Sequence, residues 1–223
     1  AFAATALLAA CTSTPKNAYV INGTAGDGVE EGANVVLLNT ATRDTMAVAQ
    51  VANGAFTFNG TTDEVISAVA MIDRQHMAQV IVEPGTIAAN LADRKATGTP
   101  LNNEMSAFMD AQKALYADEN ATDEQYTALL MDYYKRNEQN LIGESIWGDL
   151  VYELSYDEMV ALLETAQPAV KENPRNEKML NAKKAAQNTA VGQKFVDFPG
   201  ITVDIKNPKN DGKQTSLAEI VAQ

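Results

Sequence analysis

From Ala18 to about Gly98 the apolar residues fall into short runs broken by glycine and by polar turns. Ala18-Tyr19-Val20-Ile21 is one such run, and Asn22-Gly23 is expected to end it. Val35-Val36-Leu37-Leu38 is a continuous apolar strand. Met46 and Val48, then Phe56 and Phe58, mark two segments on either side of Asn53-Gly54. Asn-Gly between strand-like segments predicts a two-residue hairpin, because both residues accept positive φ. Val65 to Ile72 and Met77 to Val82 flank the polar turn Asp73-Arg74-Gln75-His76. Glu83-Pro84-Gly85 is read as the end of the second of these, and Ile87 to Leu91 as one more strand. Consecutive short strands predict an antiparallel sheet or sandwich.

The period changes at Gly98. Thr99-Pro100 fits a helix cap followed by proline at the first helical position. Met105, Phe108, Met109, Gln112, Leu115 and Tyr116 then recur at helical spacing and are expected to form a mostly apolar stripe. Thr122-Asp-Glu-Gln125 and Ser155-Tyr-Asp-Glu158 are capping boxes, in which the two side chains satisfy each other's orphan backbone donors. Tyr126, Leu129, Leu130, Tyr133 and Tyr134 are the expected inner face behind the first box, and Leu154 and Met159 the hydrophobic staple around the second. Further helices are expected around Ile146 to Val151 and Glu177 to Ala186, with Pro168 and Pro174 bounding the connection before the last.

The two ends differ from the middle. The opening AFAATALLAA is uncharged and too short to cross a bilayer as a helix. It suits the apolar region of a signal peptide. Leu8-Ala9-Ala10-Cys11 then resembles the lipobox of bacterial lipoproteins, and residues 12–17 read as a tether. At the other end Gly192 to Phe198 leads into Ile201-Thr-Val-Asp-Ile205, a turn with Pro208 and Asp211-Gly212, and a third capping box, Ser216-Leu-Ala-Glu219. Both ends are expected to lie inside a longer protein.

Composition narrows the chemistry. Lys+Arg 17 against Asp+Glu 29 gives a net charge of −12, which argues against a phosphate-backbone partner. With one His and one Cys, neither a Cys/His zinc site nor an internal disulfide can be assembled. A Ser-His-Asp site would have to use His76, which the pattern places in a solvated turn. The acidic pairs Glu30-Glu31, Asp118-Glu119 and Asp123-Glu124 lack the spacing of a calcium loop. Tyr133, Tyr134 and Trp147 could line a pocket, but helical spacing favours core packing. Gly26-Asp27-Gly28 lacks the third glycine of a dinucleotide fingerprint. No catalytic residue, cofactor or metal ligand is assigned. Cys11 is the one assigned site, for lipidation.

The order GQKFVDF, DGK, SLAEIV from Gly192 onward resembles the opening of thioredoxin-like modules of the AhpC/TSA and TlpA type. Upstream, the NG.F.F.G hairpin, VEPG.I and GTPLN resemble a domain of unknown function that precedes such modules in many Gram-negative lipoproteins. The family's C-x-x-C would lie beyond Gln223, so no catalytic residue carries over. The expected fold class is α+β. Its parts are a partial signal peptide at 1–11, the tether at 12–17, an antiparallel β domain at 18–98, a helical domain at 99–191 and an incomplete thioredoxin-like start at 192–223. The resemblance implies a non-catalytic accessory region of a membrane-anchored thiol–disulfide oxidoreductase in the bacterial envelope, facing the periplasm or the exterior. Its partners would be the membrane, through the lipid, client proteins with disulfides and a second copy of the chain, with no nucleic acid. The alternative is a stand-alone envelope lipoprotein that binds a peptide, glycan or small ligand.

Overall fold

The computed structural model describes residues 15–188, 199–201 and 214–222. Cys11, the 1–11 segment, the first part of the tether and the stretches 189–198 and 202–213 lie outside the described residues. The fold is α+β, and the chain divides after Leu150 into two compact units.

Eight strands open the first unit: β1 (Ala18–Thr24), β2 (Asn34–Asn39), β3 (Thr45–Gln50), β4 (Ala55–Thr61), β5 (Ile66–Met71), β6 (Met77–Val82), β7 (Gly85–Asn90) and β8 (Lys95–Thr97). They form two four-stranded sheets, in the orders β4-β1-β7-β8 and β3-β2-β5-β6. All pairings are antiparallel except β1 with β7, which is parallel. Alternation explains the inner faces. Tyr19 and Ile21, Phe56 and Phe58, and Ile87 and Ala89 point inward from the first sheet. Val35 and Leu37, Ala68 and Ala70, and Val80 and Val82 do so from the second. These side chains join in one buried cluster, which makes the pair of sheets a sandwich. Small residues sit among large ones, and Phe56 and Phe58 meet edge-to-face at 5.5 Å.

The turn at Asn53-Gly54 forms as expected, with φ of 52° and 72° and reciprocal backbone bonds between Ala52 and Ala55 of 2.8 and 3.1 Å. The flanking strands do not continue as a hairpin. β3 pairs with β2 and β4 with β1, so the chain changes sheet at this turn. A lone two-stranded ribbon is marginal in water, and splaying at the turn lets each strand join a larger sheet over a shared core.

Asn22-Gly23 does not end the first strand. β1 runs through it to Thr24. Gly23 lies under the Phe56 ring, where a Cβ would come within 1.9 Å of a ring carbon. The glycine leaves room for an aromatic across the ladder and makes no turn. Gly60 is covered by Tyr19 in the same way, at 2.6 Å. Gly85 opens β7 where the pattern ended a strand, and the three-residue β8 carried no signal of its own.

Three helices follow: α1 (Pro100–Ala117), α2 (Asp123–Arg136) and α3 (Leu141–Glu153). The start of α1 closes the free edge of β6. Asn102, 1% exposed, accepts a hydrogen bond from the Ile81 N–H at 2.9 Å. Its amide donates to the Ile81 carbonyl at 2.7 Å and to Thr99 Oγ1 at 2.7 Å. One side-chain amide thus replaces a rung of a neighbouring strand and pairs both backbone groups of Ile81. The Glu83 carboxylate accepts a further bond from the Leu101 N–H at 2.9 Å. The Thr122 box caps α2 as expected, and Asn137 and Asn140 make the tight passage into α3.

The second unit holds α4 (Tyr156–Thr165), α5 (Pro168–Lys171) and α6 (Arg175–Asn188). The Ser155 box opens α4, and its hydroxyl bond holds the Glu158 carboxyl below the usual range. Leu154 and Met159 are both buried, as a hydrophobic staple requires. α5 is a short helical turn inside the connection bounded by Pro168 and Pro174. Asn176 pins it by donating to the Val170 carbonyl at 2.6 Å. The strands β9 (Pro199–Ile201) and β10 (Gln214–Ser216) pair antiparallel, and the Ser216 box opens α7 (Leu217–Val221).

Candidate binding groove

The buried residues of α1 are Asn102, Met105, Ser106 and Phe108, all in its first half. The second half borders an open groove. Met109, Gln112, Lys113 and Tyr116 form one wall, and the turn Ala92 to Lys95 the other, around a cavity of about 540 Å³. Tyr116 was expected in the buried stripe, yet it is 69% exposed. Its ring lies 5.5 Å from that of Tyr126 at 33°, and Gln112 donates to the Tyr126 hydroxyl at 3.3 Å. Burial, with a hydrogen bond to Tyr116, pushes the Tyr126 phenol up to about 12. It therefore stays neutral at physiological pH.

The opposite wall is fixed by its own backbone. Asn90 Oδ1 accepts from the N–H groups of Ala92 and Asp93, both at 3.0 Å. Arg94 takes φ of 63° and donates to the Arg74 carbonyl at 2.9 Å. Lys95 forms an ion pair with Asp110 across the groove. A smaller hollow of about 320 Å³ on the outer face of the first sheet shares Asp93 and Lys95 with it. The arrangement offers aromatic and thioether surface beside cations and amides. Such surface can hold a ligand by contact and hydrogen bonding. The sequence patterns placed Met109, Gln112 and Tyr116 in a mostly apolar helical stripe. They did not single out Asp93-Arg94-Lys95, whose charges between Leu91 and Ala96 were the available signal.

The other candidates are separate from the groove. Cys11 lies outside the described residues. His76 sits in the β5–β6 turn with Nδ1 3.1 Å from both Asp73 oxygens. Asp73 also accepts from the N–H groups of Gln75 and His76, which hold its carboxyl below the usual range. The pair locks the turn. Among the described residues no hydroxyl or thiol bonds the other ring nitrogen. Glu31 accepts from the Asn53 N–H at 3.0 Å, and Asp118 from the Asn120 N–H at 2.9 Å. Asp123 and Glu124 lie in the first turn of α2. Among the described residues no group of three or more His, Cys, Asp or Glu could hold a metal ion, and no helix is long and apolar enough to cross a membrane.

Tyr133, Tyr134 and Trp147 are core residues, with the last two rings 5.5 Å apart. The Tyr134 hydroxyl is buried without a hydrogen-bond partner among the described residues, and burial pushes it up to about 12. Tyr134→Phe is expected to raise the unfolding free energy by about 1 kcal/mol, because it removes an unsatisfied polar atom. Urea denaturation followed by Trp147 fluorescence measures it, and a loss of stability would show that the hydroxyl is satisfied in solution.

No curated protein and no solved structure matches the chain. Residues 19–105 match the model of a family described as a domain of unknown function (DUF4369), a stretch that takes in both sheets of the sandwich and the first turns of α1 that close its edge.

Proposed function

We propose that this chain is the non-catalytic accessory region of a membrane-anchored bacterial thiol–disulfide oxidoreductase, and that the groove along α1 receives its protein clients. The exposed Tyr116 ring, set 5.5 Å from the half-buried Tyr126 ring, is the observation that carries the client-binding part. Tyrosines of this kind anchor protein contacts at small entropic expense. The match at residues 19–105 supports the rest, since the sequence resemblance puts such a domain ahead of a thioredoxin-like module. The short β9–β10 pair followed by the Ser216-capped α7 agrees with the opening of that module. Cys11 would carry the lipid and hold the protein at the envelope membrane. The net charge of −12 supports a reading without nucleic acid.

With a single Cys the chain cannot cycle between dithiol and disulfide, so purified residues 1–223 are expected to give no insulin-reduction turnover. The full-length gene product should give it. In that protein Tyr116→Ser should raise KM for a folded client by about tenfold and leave kcat on a small disulfide unchanged. Turnover by residues 1–223 would overturn the non-catalytic reading. A full-length product without turnover would favour a stand-alone binding module, whose ligand the amide and cationic wall of the same groove would take.

A further inference from the structure

Asn-Gly occurs three times, at Asn22-Gly23, Asn53-Gly54 and Asn59-Gly60, and the fold gives the three pairs different surroundings. We propose that Asn53 is a site of spontaneous deamidation, a covalent modification placed on the link between the two sheets. The Gly54 backbone nitrogen loses its proton and attacks Asn53 Cγ. A carbon–nitrogen bond forms, the side-chain amide leaves as ammonia, and a five-membered succinimide results. Water opens the ring at either carbonyl to give aspartate or isoaspartate. Water is the only co-reactant, and nothing is oxidised or reduced.

The reaction needs a free side-chain amide, a free following N–H and a backbone that can rotate into the attacking geometry. Asn53 and Gly54 are exposed, and no atom lies within 4 Å of a Cβ placed on Gly54. Among the described residues the Asn53 side chain makes no hydrogen bond, and the Gly54 N–H donates none. Asn22 lies in β1, which is paired on both sides. Its side-chain oxygen accepts from Thr57 at 3.3 Å, and Gly23 is buried under Phe56. Asn59 lies in β4 opposite Val20, and Gly60 is covered by Tyr19. Either of those glycine peptides can turn only by leaving the ladder from beneath an aromatic ring. A barrier higher by about 1.4 kcal/mol slows the reaction about tenfold.

The product would alter the turn in two ways. A carboxylate at position 53 stands beside Glu31, whose two oxygens each accept from the Asn53 N–H at 3.0 Å. Isoaspartate also inserts one more backbone carbon into a two-residue turn closed by Ala52 and Ala55. Both changes loosen the crossover from β3 to β4.

The test is to hold the purified chain in warm, mildly alkaline buffer, native and in urea. Peptide mapping and isoaspartyl-methyltransferase labelling then follow the three sites. In urea the three should convert at similar rates. In the native chain Asn53 should convert about tenfold faster than Asn22 or Asn59. Asn53→Gly keeps a residue that accepts positive φ, and should abolish labelling there with the circular dichroism unchanged. Native protection of Asn53 equal to or greater than that of Asn22 and Asn59 would overturn the proposal.

Discussion

Asn102→Ala is expected to lower the unfolding free energy by about 3 kcal/mol. The side chain is 1% exposed and makes three hydrogen bonds, two of them to the N–H and carbonyl of Ile81. Alanine would leave both backbone groups of Ile81 buried and unpaired, at about 1–3 kcal/mol for each such group. A net figure near 3 is a large part of the 5–15 kcal/mol typical of a domain. Asn102→Asp separates hydrogen bonding from volume. Aspartate keeps the acceptor for the Ile81 N–H but sets a carboxylate oxygen against the Ile81 carbonyl. It should therefore be nearly as damaging at neutral pH and partly relieved when protonated. Urea titration of both variants provides the measurement, and a loss under 1 kcal/mol for alanine would mean that water replaces the amide at the edge.

Gly98→Ala is expected to destabilise by about the same amount, through the backbone. Gly98 joins β8 to α1 at φ of 102°, a conformation that side chains rarely adopt. A Cβ there would stand 2.5 Å from the Thr86 carbonyl oxygen, which belongs to β7 and cannot swing aside. Backbone strain of this kind costs about 1–3 kcal/mol, and the clash adds to it. The Gly98 N–H also donates to Asn103 Oδ1 at 2.9 Å, so any shift of the turn disturbs the start of α1. Thermal unfolding of the variant checks the size. A shift in midpoint within error of the wild type would show that the turn has room to relax.

The parts of the fold legible in the sequence are those whose signals are local. The three capping boxes need only a hydroxyl and a carboxyl or amide three residues apart, and all three formed. The Asn53-Gly54 turn was legible for the same reason. Strand partners were not, because pairing depends on which core each strand fills, and β4, with Phe56 and Phe58, joins the ladder of β1 while β3 joins that of β2. Asn22-Gly23 and Gly60 carry the letters of a turn, but their lack of a Cβ serves rings that lie across the ladder. Periodicity also overstated the inner face of α1. It shows which residues share a face, not how far the neighbouring sheet extends. Past Phe108 no residue of α1 is fully buried, and Tyr116 comes out into water. The edge-closing role of Asn102 had no sequence signal beyond an amide at the head of a helix.

β1 lies at the heart of the first sheet, with β4 on one side and β7 in parallel on the other. Its ladder partners therefore sit far along the chain, Thr61 opposite Ala18 and Ile87 beside Ile21. A polypeptide made or exported from its N-terminus presents β1 before either neighbour exists. The second sheet can pair β2 with β3 and β5 with β6 through nearby turns as they emerge. The first sheet must wait until β7 has appeared, with Tyr19 and Ile21 uncovered in the meantime. During that interval β1 is an adhesive segment, and the order of translation makes it the part of the nascent chain with most need of a chaperone.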